Sequence, residues 1–278
     1  MSLVPMKKLL LDAEKQQKAV GAFSVGNMEM VRGALRAAEA RQEPIILQIA
    51  EKRLTHSPLE LMAPMMVSAA EHASVDIAVH LDHGLTLDCI DKALGYGFSS
   101  VMLDASLLPF EENIAVTKTV VEKAAAYGAT VEAELGVVGG NEGDSAEHII
   151  QCTDPKKAAE FVNTTGVDAL AVAIGNAHGN YPTLPELRFD VLEQIHQTVS
   201  IPLVLHGGTG MSAEQFRRAI SLGICKINIA TASFDALAKE AKQYLTSVPT
   251  PDYFQLSEEM VRGVYENVVR HLQIFSSQ

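Results

Sequence analysis

Apolar residues along this chain recur in two alternating rhythms. Short β-rich runs carry the first: "AVGAFSV" from Ala19, "PIILQI" from Pro44, "DIAVHL" from Asp76, "SSVMLD" from Ser99, "TVEAEL" from Thr130, "DALAVAI" from Asp168, "PLVLHG" from Pro202 and "KINIAT" from Lys226. Each has the length and β-branched content of a strand. Between them, apolar positions fall at helical spacing over 29–41, 59–73, 111–127, 155–165 and 212–222. Start signals support these helices. "SAEQ" at 212–215 is a capping-box pattern, and "TDPKK" sets Thr153 or Asp154 before a proline suited to a first helical turn. An amphipathic helix is also expected near the N-terminus, around "MKKLLLDAEK". Strands and helices that alternate from end to end call for a parallel sheet, and eight such units over about 250 residues predict a (β/α)8 TIM barrel. A doubly wound open sheet is the alternative, but its first strand should lead into GxGxxG, and "FSVGNMEM" lacks that motif. No Pro/Ser-rich linker divides the chain, so one domain over 1–278 is expected. The apolar face of "EEMVRGVYENVVRHLQIF" adds a C-terminal helix that packs on a neighbour or covers its own barrel.

Composition narrows the function. With 278 residues, 47% hydrophobic and 20% charged, the chain can bury a full core. Its 34 acidic against 22 basic residues give a net charge of -12, which excludes a general electrostatic footprint for nucleic acid or anionic membrane. A phosphorylated ligand must be held locally. Cys89, Cys152 and Cys225 are odd in number and far apart, suggesting neither a disulfide framework nor a CxxC metal site, and a reducing cytoplasm fits them best. No signal-peptide core and no apolar run near the roughly 20 residues of a membrane span is present.

The chemistry of a TIM barrel sits where its strands finish. Here the third strand ends in Asp82 and His83, the fourth in Asp104, and the fifth carries Glu132 and Glu134. The sixth leads to "GNAHG" with His178, the seventh to "HGGTG" with His206, and the eighth to "NIAT" with Asn228 and Thr231. One histidine at a strand end is usually structural. Three imidazoles converging on one mouth supply three neutral nitrogen ligands and leave a fourth position for substrate, as in a catalytic zinc site. His56, His72, His80, His148, His196 and His271 are read as surface or packing residues. Glycine after His83, His178 and His206 lets backbone N–H groups approach an anion closely. "HGGTG" and "NIAT" therefore read as a phosphate cradle, with the Thr209 and Thr231 hydroxyls beside it and a helix N-terminus behind the second. "GVVGGNEGDSAEH", residues 136–148, is either a plain connection or a flap bringing the Glu142 carboxylate over the substrate.

These motifs together resemble the class II, metal-dependent ketose-bisphosphate aldolases, on the branch with fructose- and tagatose-bisphosphate aldolases. The likeness spans nearly the whole chain and rests on "HLDHG", "SSVMLDASLLPFEENI", "VEAELGVVGG", "DALAVAIGNAHGNY", "IPLVLHGGTG" and "LGICKINIAT". It implies a reversible aldol cleavage of a phosphorylated ketose to dihydroxyacetone phosphate and an aldehyde. It implies that His83, His178 and His206 bind Zn2+, that Asp82 moves the proton of the aldehyde oxygen, and that the loop residue Glu142 removes the proton alpha to the carbonyl. Gly179, Gly207, Gly208, Thr209, Asn228, Ile229, Ala230 and Thr231 match positions that hold dihydroxyacetone phosphate. Asp104 and Glu134 match a second divalent position, and Na+ or K+ near the phosphate turns, a cytoplasmic location and a homodimer or homotetramer are implied with them.

Some positions depart from the family pattern. Ser24 stands where relatives often have asparagine, "EKRL" replaces a small Ser/Gly/Thr-rich segment, Pro251 stands in place of an arginine, and Ala232 in place of a glutamate. These changes leave open an aldehyde acceptor that is unphosphorylated or otherwise different, with Lys52, Arg53 and Arg262 as compensating cations. A TIM-barrel metallohydrolase is the competing enzyme class, but the HxH pair expected on its first strand is missing. A non-catalytic relative is disfavoured by the presence of Asp82, Glu142 and all three histidines. On regular strand geometry Asp82 and His83 would point to opposite sides, so the chain is expected to turn out of the sheet there, at Gly84.

Overall fold

A computed structural model describes residues 2–140, 151–179 and 186–276. Eight parallel strands close into a barrel: β1 (Val20–Ser24), β2 (Ile45–Ala50), β3 (Ile77–Gly84), β4 (Ser100–Leu103), β5 (Thr130–Leu135), β6 (Ala169–Val172), β7 (Leu203–Leu205) and β8 (Ile224–Ile229). Each pairs with the next in sequence, and β8 returns to β1 with Val20 opposite Lys226 and Phe23 opposite Ile229. The closed barrel leaves the open-sheet alternative without support. The helices are α1 (Met6–Lys15), α2 (Met28–Arg41), α3 (Leu59–His72), α4 (Leu87–Gly95), α5 (Phe110–Ala125), α6 (Pro155–Thr165), α7 (Phe189–Thr198), α8 (Ala213–Ser221), α9 (Thr231–Ser247) and α10 (Tyr253–Ser276). Their starts follow local chemistry. Ser212 and Gln215 form the expected capping box on α8, and the Asp154 carboxylate accepts the Lys156 and Lys157 N–H groups ahead of Pro155.

Strand alternation sorts side chains into two layers. Outward residues such as Leu47, Val79, Leu81, Val101, Ala133, Leu170 and Ile227 pack under the helices. At the bottom of the barrel the inward layer is small and apolar: Ala22, Ile46, Ala78, Ala169, Ala171, Val204 and Cys225, plugged by Met6, Leu9, Leu10 and Ala13 of α1. Higher up, the same inward positions become polar, with Gln48, His80, Asp82, Glu132, Glu134, His206, Lys226 and Asn228 all buried. This gradient directs the chemistry to the C-terminal mouth.

Two irregularities interrupt the alternation. In β3 the register against β4 shifts between Leu81 and Gly84, and His83 adopts a left-handed φ of 40°. The chain therefore does not leave the sheet at Gly84, as expected; a bulge inside the strand sends Asp82 and His83 to the same side. Gly84 has another reason to be glycine, because a Cβ there would lie 2.5 Å from the Met102 carbonyl oxygen. In β8, Leu203 pairs with Ile224 but Val204 with Lys226, so Cys225 and Lys226 both reach the interior. The C-terminal helix covers its own barrel: α10 buries Val261, Val264, Val268, Leu272 and Phe275, and Gly33 of α2 comes so close that a Cβ would lie 2.7 Å from Val264.

Candidate active site

The three strand-end histidines meet at the mouth. His83 and His206 have ring centroids 4.6 Å apart, His83 and His178 5.0 Å, and His178 and His206 5.9 Å. One nitrogen from each lies within 4.8 Å of the others, close enough for a single cation. Two of the rings, and the main chain of the third residue, are held from outside. His83 Nδ1 is 2.7 Å from Asp104 Oδ2, and Asp104 Oδ1 in turn accepts the Ser106 N–H and hydroxyl. His206 Nε2 is 2.8 Å from Glu132 Oε1. The His178 backbone N–H donates to the Gly139 carbonyl at 2.7 Å, tying "AHG" to the "VVGG" turn after β5. His83 Nε2 is left buried without a hydrogen-bond partner among the described residues, and His206 Nδ1 faces Glu134 Oε2 at 3.0 Å. Buried polar atoms are rarely abandoned in this way, and two imidazole nitrogens beside a carboxylate make a donor set that fits a divalent ion such as zinc.

The electrostatics favour positive charge at the same point. Burial alone would depress the His206 imidazole, but Glu132 and Glu134 lift it to about 9. Burial likewise opposes the His83 cation, yet Asp82 and Asp104 raise it well above the ordinary imidazole value. His178, buried beside those two rings, is pushed well below. His83, Asp104 and Glu134 also bring one ligand atom each within 4.8 Å, so the residues expected at a second divalent position do share a corner of the site.

Asp82 sits beneath the histidines, fully buried. Gln48 Nε2 donates to its Oδ2 at 2.9 Å and Asn228 Nδ2 to its Oδ1 at 3.0 Å. Burial works against its charge, but His83 and Lys226 hold the carboxyl below its ordinary range. Two amide donors and neighbouring positive groups thus present it as a proton acceptor. The glycine turns lie alongside. Gly207 has φ 67° and a Cβ there would fall 2.0 Å from the Ala177 carbonyl oxygen, so only glycine closes the contact between "HGG" and "AHG". Gly179 is also left-handed, and the Gly208 N–H donates to the Asn228 carbonyl. Thr209 Oγ1 accepts the Ala232 N–H at 3.1 Å, bracing the α9 N-terminus that Thr231 opens, and no side chain of Ala230 caps that end. The turns therefore converge where an anion would meet a helix N-terminus.

The sequence profile "Fructose-bisphosphate aldolase class-II" matches residues 4–278. The chain belongs to that family. A fructose-bisphosphate aldolase of Geobacillus stearothermophilus is 43% identical over 252 residues, covering 90% of this chain and 88% of its own. One from Staphylococcus aureus strain Mu50 is 41% identical over 250 residues, 89% of this chain and 87% of the other. The crystal structure of the YdjI aldolase from Escherichia coli K12 superposes with a TM-score of 0.89 at 37% identity, over 99% of this chain and 98% of that one. The family is metal-dependent, in keeping with the three-histidine cluster, and the metallohydrolase reading is not favoured. No helix among the described residues is long and apolar enough to cross a membrane.

Several residues of this aldolase sit differently from the sequence expectation. His80, read as surface or packing, lies in the barrel interior with Nε2 3.7 Å from Glu132 and 3.9 Å from Asp82, its pKa lowered to about 3 by burial and by Lys226. Glu51 of the altered segment serves the fold: its carboxylate accepts the Leu85 and Thr86 N–H groups and the Thr86 hydroxyl, clamping the loop after β3 to the short 3-10 turn Glu51–Thr55. Arg53 stacks 5.5 Å above the Phe234 ring of α9. Arg262, considered as a compensating cation, is engaged on the outer face of α10 with Glu240, Glu259 and Glu266. Glu132 and Lys226 were not singled out as site residues, although spacing carried a signal: His80/Asp82, Glu132/Glu134 and Lys226/Asn228 are polar pairs two apart, on one face of a strand. Glu142 lies outside the described residues.

Proposed function

We propose that this aldolase, acting as one barrel domain over 1–278, reversibly cleaves the C3–C4 bond of a ketose bisphosphate of the fructose or tagatose type, releasing dihydroxyacetone phosphate and an aldehyde. The observation that carries the reading is the convergence of His83, His178 and His206 directly above a buried carboxylate, Asp82, that two amides keep as an acceptor. His83, His178 and His206 would hold Zn2+, with Asp104 and Glu134 offering a second divalent position. The bound ion supplies Lewis-acid polarisation of the substrate carbonyl. Asp82 takes the proton of the C4 hydroxyl as the carbon–carbon bond breaks, and returns it to the aldehyde oxygen in condensation. Glu142 is assigned the proton alpha to the carbonyl of dihydroxyacetone phosphate. Gly140, the last described residue before it, approaches His178 so closely that a Cβ would lie 2.4 Å from the His178 carbonyl oxygen. Gly179, Gly207, Gly208, Thr209 and the run Asn228, Ile229, Ala230, Thr231 hold the phosphate through backbone N–H groups and hydroxyls, assisted by Na+ or K+, and so fix the reacting carbons against Asp82. A homodimer or homotetramer in the cytoplasm completes the reading, supported by family membership and by the free thiols Cys89, Cys152 and Cys225.

The test is proton exchange. Zinc-loaded protein mixed with dihydroxyacetone phosphate in deuterated water should erase the alpha-proton signal, and Asp82→Ala should keep that exchange while losing cleavage. Absence of exchange with zinc bound would sink the proposal.

A further inference from the structure

Beneath the three histidines lies a pair of opposite charges that the proposed reaction does not use. Glu132 on β5 and Lys226 on β8 are fully buried, and Lys226 Nζ lies 2.9 Å from Glu132 Oε2. His80, Asp82 and Glu132 bring ligand atoms within 4.8 Å of one another, which has the look of another metal cluster. Lys226 argues against that: an ammonium already stands against the carboxylate, and a second cation there would meet it. The other oxygen of the same carboxylate, Oε1, faces His206 Nε2 at 2.8 Å, while His206 Nδ1 lies 3.0 Å from Glu134 Oε2, on the side of the ring that looks into the three-histidine cluster. An ionised carboxylate only accepts hydrogen bonds, so the Nε2 edge against Glu132 keeps its proton, and when a cation enters the cluster it is the Nδ1 edge that gives up a proton and presents a lone pair. His83 is arranged the other way, with Nδ1 on Asp104 and Nε2 left open.

We infer that Glu132 is the positioning residue that makes His206 present Nδ1 to the metal, and that Lys226 is the fixed counter-charge that lets Glu132 do so inside the barrel. A buried carboxylate is costly unless it is paired and hydrogen-bonded; here Lys226 supplies the ion pair at one oxygen and His206 the hydrogen bond at the other. The backbone is fixed as well, because Asn176 Nδ2 donates to the His206 carbonyl at 3.0 Å. Ring orientation and tautomer thus come from separate elements, β5 with β8 for the ring and the loop after β6 for the main chain. The role belongs to an outer partner of a ligating histidine, a position whose loss typically weakens metal binding 10–100-fold.

This inference rests on the metal reading proposed above, and the experiment separates the two. Full-length protein with 15N-labelled histidine is examined by NMR before and after zinc loading, with His206 assigned from the signals missing in His206→Asn. The expected result is a protonated Nε2 in both states and a zinc-shifted Nδ1 in the loaded one. Two charge-matched double variants follow, with zinc affinity read by chelator competition. Glu132→Gln with Lys226→Met keeps an acceptor oxygen for His206 and should stay within about threefold of wild type. Glu132→Met with Lys226→Met removes the acceptor and should bind zinc about 10–100-fold more weakly. Equal loss in the two, no loss in either, or zinc on Nε2 of wild-type His206 would overturn the inference alone. Failure of wild type to take up zinc would overturn it together with the metal reading. Where the double variants do not fold, the wild-type tautomer decides.

Discussion

His271 offers a test of the packing between α10 and the barrel that is independent of the metal. Its ring is buried among Phe23 of β1, Phe216 of α8 and Phe275, with centroids 6.3, 6.1 and 5.8 Å away, and Nδ1 lies 2.8 Å from the Asn267 carbonyl oxygen. Burial, with Arg270 nearby, lowers its pKa from 6.5 to about 4. A histidine whose pKa falls on folding takes up its proton in the unfolded chain first, so its contribution makes stability rise with pH. The native state is unpenalised above 6.5, loses stability as the pH falls through the interval, and reaches the full penalty below about 4. At ~1.4 kcal/mol per pH unit that interval is worth about 3 kcal/mol. This is a large part of the ~5–15 kcal/mol typical of a folded domain. The perturbation is His271→Phe, which keeps an aromatic ring and removes the titration. Urea unfolding of both proteins at a series of pH values from 7.5 to about 4 should give stability curves that diverge as the pH falls, with the wild type losing about 3 kcal/mol more. Parallel curves would show that His271 does not pay a protonation penalty, and the account of a dry aromatic site around it would be wrong.

The site yields further predictions. Gln48→Leu removes the donor to Asp82 Oδ2, so the acid limb of the pH–rate profile for cleavage should move to higher pH, with alpha-proton exchange retained; an unmoved limb would mean that Gln48 does not hold the charge. Gly207→Ala puts a methyl group 2.0 Å from the Ala177 carbonyl oxygen at a left-handed φ, and should raise KM for the bisphosphate at least tenfold. Unchanged steady-state kinetics would remove Gly207 from the phosphate turn. Chelation of the metal should abolish cleavage and Zn2+ should restore it, as a coupled assay for dihydroxyacetone phosphate would report. Glu51→Ala frees two loop N–H groups and the Thr86 hydroxyl, and should cost about 1–3 kcal/mol in urea unfolding while the three-histidine cluster still binds zinc.

Much of this architecture was readable from period alone. Runs such as "TVEAEL" and "PIILQI" fall within one residue of β5 and β2, and the capping signals at Ser212 and Asp154 place the starts of α8 and α6. The candidate ligands were readable because histidine, glycine and carboxylate recur just where apolar runs stop. What stayed hidden depended on contacts between distant strands. Glu132 and Lys226 are 94 positions apart and become partners only when the barrel closes, so in the sequence Glu132 is one more strand-end carboxylate and Lys226 one polar position in a strand. Likewise, nothing local in "AEKRL" tells that Glu51 will clamp the loop beginning at Leu85, more than thirty residues on. At His83 alternation shows that two neighbours cannot face one way on a regular strand, but not that a bulge inside β3 is how the backbone resolves it.

The two bulges have a consequence for how this barrel tolerates change. In β3 and β8 the count of residues, as much as their identity, decides which side chains look inward. Deleting Cys225 would remove the extra residue of the β8 bulge, so that outward Ile224 is followed by inward Lys226 and regular alternation keeps Lys226 and Asn228 in the barrel. One residue inserted between Lys226 and Asn228, where the strand is regular, would instead turn Asn228 toward the helices and away from Asp82. Insertions and deletions beyond the bulges are thus frameshifts of the active site, whereas a bulge residue itself can be lost with the phase kept.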